Sequence, residues 1–504
     1  MKDLKHIILI SIDNLRYDCI GYQPDKREII KYDCLKYLET PTLNSIAEKS
    51  ICFTQAISTN TYTTASHASI LTGLYPPKHG VRAFFGDHLN KEVITLAEIF
   101  KKHGYRTILA TDTEHLFVPL GLDRGFTHLF ARNDKDLFNF LKQVKDGKIF
   151  LFVHFFDVHA PFMFSEYETF HGCNMDYYEN VEHLYRRLLG LEIEASKGDP
   201  YETWNKIWTK IHQNINFLLP LYVKGVSKFD KGRFRIFIHE LENLDILNNS
   251  LVLIFSDHGE GKVNSEDPIF FGHSGELFDN VIRVPLIISH PDITHKIVDC
   301  PTSTVDIFPT VIGLAFNGKP QQDYKTGNNS LVNLITNMGD SKSNRPSLTY
   351  SETWRGNNIA DNISTEYLLW QRCLRLGNKK FIIYGKPEDC FAGSLFKLNN
   401  LDFVKKLRRN LLCVFEDQGQ IPKFSILLDK GECSREKVFK KFLREYEINA
   451  KKFEIYDLEN DPFEEHPIGF SSESWLSIEM ILVISKILSF EALSSINFQE
   501  KGGL

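Results

Sequence analysis

Short apolar runs that stop abruptly on an acidic residue or a histidine recur along the chain. They are HIILISID (6–13), RTILATD (106–112), KIFLFVHFFD (148–157) and SLVLIFSDHGE (250–260). Each is too short and too uniformly apolar for an amphipathic helix and reads as a strand buried on both faces. The last three each follow a stretch with helical spacing: ITLAEIFKKHGY, KDLFNFLKQVKDG and GRFRIFIHELENLDIL. Helix-then-strand repetition predicts the α/β class, a mostly parallel sheet with helices on both faces. Ligands of such sheets bind beyond the carboxyl ends of the strands. Asp13, Asp112, Asp157, His159, Asp257 and His258 are therefore expected along one edge.

The rest of the pattern sets the organisation. Residues 163–235 carry aromatics and helical periodicity without strand signals, a helical excursion before the strand at 250. VPLIISHP (284–291) predicts a further strand and STVDIFPTVIGLAF (303–316) a helix. The polar stretches NGKPQQDYKTGNNS and MGDSKSNRPS read as surface loops. They place a boundary near 340, between a catalytic α/β domain (1–340) and a smaller α+β domain (341–504). The second has strand candidates at CLRLGNKKFIIYG and KFEIYDLEN.

Composition narrows the class. With 42% hydrophobic and 25% charged residues over 504 positions, the chain is ordinary globular protein. A net charge of -6 gives no electrostatic case for a nucleic-acid partner. Nine cysteines without a C-x-x-C pair read as reduced thiols. No apolar run reaches the roughly 18 residues of a membrane span, and Ile7–Ile12 is too short for a signal peptide. A cytoplasmic protein is the expectation; oligomeric state is not legible.

Chemistry enters at NTYTTASHASILTGLYPPKHGV (60–81), where Thr61, Thr63, Thr64, Ser66 and Ser69 crowd the start of a helix-like run. Taken alone, such a cluster reads as helix capping, an SDHG as a loop, and Asp13 as a turn residue. Taken together, two carboxylates and an imidazole suit a divalent cation, and a hydroxyl held against a cation loses its proton more readily. The helix start adds backbone N–H donors suited to a tetrahedral oxyanion.

These segments resemble, in order, the sulfatase branch of the alkaline phosphatase superfamily. ILISIDNLRYDCIGY resembles its metal-binding first strand, and TPTLNSIAEKSICFTQAIS the approach to the nucleophile. TTASHASILTGLYPPKHGV stands where the family has C/S-x-P-S-R-x-x-x-x-T-G. HFFDVHAPF, SDHGE, FGHSGELFDNVIRVPLII, STVDIFPT and IYDLENDPFEE follow. Counting back from Gly73 puts the nucleophile at Thr63, with Ala65 for the family's Pro and His67 for its Arg. True sulfatases oxidise a Cys or Ser here to formylglycine. Thr would yield a ketone, and it is the nucleophile in related phosphodiesterases, nucleotide pyrophosphatases and phosphoryl-group transferases.

The resemblance implies a metal shell of Asp13, Thr63, Asp257 and His258, with Asn14 in place of a second carboxylate. That set suits one Mn²⁺ or Zn²⁺ better than Ca²⁺, with Mg²⁺ an alternative. His159 and His273 match the substrate-side histidines, catalytic through leaving-group protonation or charge stabilisation. In a second arrangement Asp157, His159 and His273 hold another cation. Asp157 and Asn14 are expected to face substrate, His67 to touch the substrate anion, to orient Thr63 or to serve the core or a cap, and Arg283 to form a structural ion pair. His154, on a strand, reads as structural. Residues 163–235 and 395–450 are expected to shape the pocket. The implied activity is metal-dependent hydrolysis of a phosphoester, either a phosphodiester or a phosphoryl-linked small molecule or glycan precursor. Sulfuric-ester hydrolysis, soluble phosphoryl transfer and binding on a dead scaffold are the alternatives.

Overall fold

The computed structural model describes residues 4–82, 87–160, 215–261, 273, 275–316, 330–336, 348–354, 370–384, 453–461, 464 and 467. Most of the helical excursion and all of 395–450 lie outside the described residues. The chain divides into two compact units, Met1–Ser351 and Glu352–Leu504.

The strands are β1 (His6–Ile12), β2 (Ile51–Ile57), β3 (Arg106–Thr111), β4 (His128–Ala131), β5 (Ile149–Phe155), β6 (Ser250–Phe255), β7 (Arg283–Ser289), β8 (Lys296–Val298) and β9 (Thr302–Ser303). They form one sheet in the order β4-β3-β5-β1-β6-β7-β2-β8, with β9 beside β2. β1 lies at its centre, parallel to β5 and β6. Only β7 runs against its neighbours β6 and β2. Ile8, Ile10 and Ile12 of β1 enter one core, and Ile7 and Leu9 the core on the other face. Burial on both faces is why β1 shows no polar alternation. The sequence missed β2, β4, β8 and β9: they are short or, in β2, interrupted by Thr54 and Gln55.

The helices that matter here are α1 (Pro41–Ala47), α2 (Thr63–Thr72), α3 (Leu96–Lys102), α4 (Asp134–Val144), α5 (Ile215–Phe229), α6 (Arg235–Asn243) and α7 (Ile307–Ala315). α3 opens on a capping box formed by Thr95 and Glu98. Between α5 and α6 the chain makes a wide π-type turn at Asp230–Phe234, with Gly232 off helical geometry. Wide turns of this kind are rare and occur often at functional sites. Arg233 lies in this turn.

A second sheet has the order β10 (Leu348–Trp354), β11 (Trp370–Leu376), β12 (Lys379–Tyr384), β13 (Phe453–Asp457). β11, β12 and β13 pair antiparallel, with β11 and β12 drawn from one of the expected strand segments and β13 from the other. The five described cysteines are buried and form no disulfide. No described helix is long and apolar enough to cross a membrane. Arg283 pairs with Asp25 at 3.3 Å and lies 4.0 Å over the Tyr17 ring, a structural role as expected.

Candidate metal and nucleophile site

Thr63 opens α2, whose N-cap position is Tyr62, without a side-chain cap bond. The hydroxyls that follow do not cap the helix. Ser66 donates to the Asp257 carbonyl at 2.7 Å, Ser69 to Ala65 at 3.1 Å and Thr72 to Ala68 at 2.6 Å. Every residue of α2 is buried, so tertiary packing rather than propensity holds this Thr- and Ser-rich helix. It ends at Gly73, whose φ of +66° is left-handed and favours glycine.

At the strand ends, Asp13, Asp257 and His258 meet Thr63. Asp13 Oδ2 accepts from Thr63 Oγ1 at 3.2 Å and from His154 Nε2 at 3.0 Å, while its Oδ1 has no partner. Asp257 repeats that division. Its Oδ1 accepts from the backbone of His258 at 2.9 Å and Asn14 at 3.2 Å, and its Oδ2 has no partner. His258 Nδ1 lies 3.0 Å from the Gly259 carbonyl. A carbonyl only accepts, so Nδ1 carries the proton and Nε2 presents a bare lone pair. That Nε2 lies 3.3 Å from Thr63 Oγ1, 3.4 Å from Asp257 Oδ2 and 3.8 Å from Asp13 Oδ1.

Two orphaned carboxylate oxygens and an imidazole lone pair thus share one completely buried spot; ligand atoms of Asp13, Asp257 and His258 all lie within 4.8 Å of one another. Buried polar atoms without partners are costly, and a cation would satisfy all three. Burial first, then the Asp257 charge, push the Asp13 carboxyl well above its ordinary range. Burial opposes ionisation of Asp257 too, but the imidazoles of His258, His67 and His154 outweigh it and hold the group low. The donor set fits a divalent cation; nothing in it selects one metal.

The loops that carry these groups are tied down. Gly259 is required by close approach, because a Cβ there would lie 2.1 Å from the Asn280 carbonyl oxygen. Arg16 is fully buried, forks onto Asp18 at 2.6 and 2.9 Å, and donates to the Gly261 carbonyl at 3.0 Å. Glu28 pairs with the same guanidinium. Asn14 adopts a left-handed φ of 65°. Its Nδ2 donates to Glu260 at 2.6 Å, and its Oδ1 has no partner.

The other expected site residues fall in three places. His273 and His159 border the spot: the His273 ring stacks on His258 at 4.3 Å and lies 5.2 Å from His159. Burial disfavours charge on His273, but Glu260 outweighs it and raises the imidazole. Burial, then His273, push His159 down to about 3. His67 does not face the spot through a free nitrogen. Its Nδ1 donates to the Thr63 carbonyl at 2.7 Å and its Nε2 meets Ser11 Oγ at 2.9 Å. Asp157 and Asp112 are engaged by Arg233 at 2.7 and 2.6 Å. The sequence reading missed Arg233, since a single Arg inside a helical stretch carries no signal, and did not assign Glu260, although it stands in the SDHGE segment.

The Sulfatase family model matches residues 5–318. An arylsulfatase of Clostridium perfringens is 33% identical over 382 residues, covering 62% of this chain and 74% of that protein. An ulvan-active sulfatase of Formosa agariphila is 25% identical over 335 residues. That match covers 62% of this chain and 61% of the relative's own length. A solved protein in complex with its substrate D-glucosamine-2-N,6-O-disulfate superposes with a TM-score of 0.61 at 14% identity, over 97% of this chain and 98% of its own; that likeness shows the fold. Sheet order, buried donor set and these matches agree, and the chain belongs to the sulfatase family.

Proposed function

We propose that this chain is a metal-dependent hydrolase of esters of tetrahedral oxyanions, with sulfuric esters first among its substrates. The observation that supports it is the convergence of Asp13 Oδ1, Asp257 Oδ2 and His258 Nε2 beside the Thr63 hydroxyl. The relatives' names reverse the order given by the sequence alone, which put phosphoesters ahead. A small or glycan-linked anionic ester fits the relatives named for ulvan and a glucosamine disulfate.

A divalent cation bound there supplies positive charge beside the ester oxygens and favours ionisation of a hydroxyl it touches. Asp13, Asp257 and His258 would hold it, with Thr63 alongside. The Thr63 hydroxyl already points its proton at Asp13 Oδ2, which leaves a lone pair for attack on the ester's central atom. His67 anchors the Thr63 carbonyl and fixes the first turn of α2. His273, whose imidazole Glu260 shifts toward the protonated form, is suited to donate to the departing oxygen. His159 stacks on Phe156 at 4.2 Å and donates through Nδ1 to Ala160, which leaves Nε2 as an acceptor.

One observation favours a second reading, phosphoester cleavage. Thr63 cannot become formylglycine, because its Cβ carries a methyl group. A covalent adduct on an ordinary hydroxyl must then leave by a second displacement, which phosphoryl groups undergo readily. The test is a screen of aryl sulfates, phosphate monoesters and phosphodiesters with Mn²⁺, Zn²⁺, Mg²⁺ and Ca²⁺. Cation-dependent turnover led by sulfates supports the first reading, and turnover led by phosphoesters the second. Turnover undiminished by chelator sinks both.

A further inference from the structure

His154 read as structural in the sequence, but its two ring nitrogens join the proposed cation site to a neighbouring strand. Its side chain is fully buried on β5, next to β1. Nδ1 lies 3.1 Å from Thr111 Oγ1 and 3.2 Å from Thr113 Oγ1, at the end of β3. Nε2 lies 3.0 Å from Asp13 Oδ2. An Asp13 carboxylate that holds a cation is ionised and can only accept, so in that state Nε2 carries the ring proton and Nδ1 accepts from the threonines. Thr111 Oγ1 itself accepts from the Thr113 backbone N–H at 3.1 Å, which frees its own proton for the ring.

The consequence falls on Asp13. Oδ2 receives two donors, His154 and Thr63, from different elements. Those bonds fix the carboxylate plane and leave Oδ1 unpartnered, toward Asp257 Oδ2 and His258 Nε2. His67, the nearest other imidazole at 4.9 Å between rings, spends its nitrogens on Thr63 and Ser11 and does not share this task. We propose that His154 is a positioning residue: held in one tautomer by Thr111 and Thr113, it sets the Asp13 carboxylate so that Oδ1 is presented to a divalent cation. The inference rests on the cation-binding reading given above. Groups that orient a ligand in this way typically contribute about 10–100-fold to cation affinity.

The test titrates Mn²⁺, and separately Zn²⁺, into the chelator-stripped full chain by calorimetry, with circular dichroism and melts of the same apo proteins. His154→Leu removes the donor and is expected to weaken binding about 10–100-fold. His154→Gln places an amide donor near the Nε2 position and should recover most of that loss. The double variant T111V/T113V leaves the ring but not its clamp, and should weaken binding several-fold. A folded His154→Leu that binds within about threefold of wild type overturns the proposal, as does equal loss in the Leu and Gln variants. If His154→Leu does not fold, an unchanged affinity in T111V/T113V overturns it instead. Asp257→Asn separates the two levels. No saturable binding by wild type, or wild-type affinity in Asp257→Asn, sinks the cation reading and this inference with it. Weak binding by Asp257→Asn beside unchanged His154→Leu removes only the role of His154.

Discussion

Replacing Arg233 by Met keeps an unbranched side chain but removes the guanidinium, which lies 4.8 Å over the Phe155 ring, from three carboxylates. Arg233 donates five hydrogen bonds of 2.6–3.0 Å to Asp112, Asp134 and Asp157. Asp134 is 34% exposed, so solvent screens its share. Asp112 and Asp157 are 2% and 0% exposed and would be left as buried, uncompensated groups. Burial works against ionisation of Asp112, yet Arg233 outweighs it and holds the carboxyl at about 2, against an ordinary 3.8. At about 1.36 kcal/mol per pH unit, that depression is worth about 2–3 kcal/mol. Asp157 adds less, because burial, with the Asp112 charge beside it, raises its carboxyl despite Arg233. A total of about 3 kcal/mol sits at the low end of values for breaking a buried ion pair.

The pH dependence follows from the sign of the Asp112 shift. A carboxylate whose folded pKa is depressed stabilises fully above its unfolded value and loses that contribution as pH falls through the folded value. The deficit of Arg233→Met is therefore largest at neutral pH, shrinks below about 4 and closes near 2. For a unit of 351 residues, an unfolding entropy of about 2.1 cal/mol/K per residue gives about 0.7 kcal/mol/K. The expected loss in Tm is then about 4 °C at pH 7. Thermal melts of wild type and variant from pH 2.5 to 7 measure it. Equal Tm at pH 7, or a gap that widens on acidification, would refute the reasoning.

Thr63→Ala should lower kcat by about a thousandfold, about 4 kcal/mol of barrier, while Thr63→Ser keeps much of the activity. Steady-state kinetics within about tenfold of wild type for Thr63→Ala would reduce Thr63 to a helix residue. Asp257→Asn and His258→Ala should each lower the cation content of purified protein, read by elemental analysis, with little change in circular dichroism. Burial pushes His67 down to about 4, so the folded state resists the proton that the unfolded chain takes up below 6.5. Stability should fall by as much as about 3 kcal/mol between pH 6.5 and 4 from this residue. His67→Gln should flatten that part of the melting profile, and an unchanged slope would contradict the assignment.

Strand ends and the order of motifs were legible in the sequence because both rest on local facts. A run such as HIILISID is apolar throughout only when both faces are covered, and its Asp marks where the sheet ends. Hydroxyls crowded a helix start and SDHG followed a strand, and the family resemblance of TTASHASILTG singled out Thr63, so Asp13, Thr63, Asp257 and His258 could be brought together. Pairing partners were not legible, because residues far apart in sequence decide them. Asp112 and Asp157 end strands just as Asp13 and Asp257 do. What separates the two sets is Arg233, brought in by a wide turn of the chain between α5 and α6. The hydroxyl cluster likewise read equally well as capping until packing put Ser66 on the Asp257 carbonyl. His154 carries the same lesson, since the parallel register of β3, β5 and β1 sets Thr111 beside His154 and Asp13 two residues past Ser11, the β1 partner of His154. Sequence thus determined which side chains stand at the sheet edge. Tertiary structure alone decided which charges are neutralised by the protein itself and which oxygens are left without a partner. The cost of an unpaired buried group depends on every element packed around it.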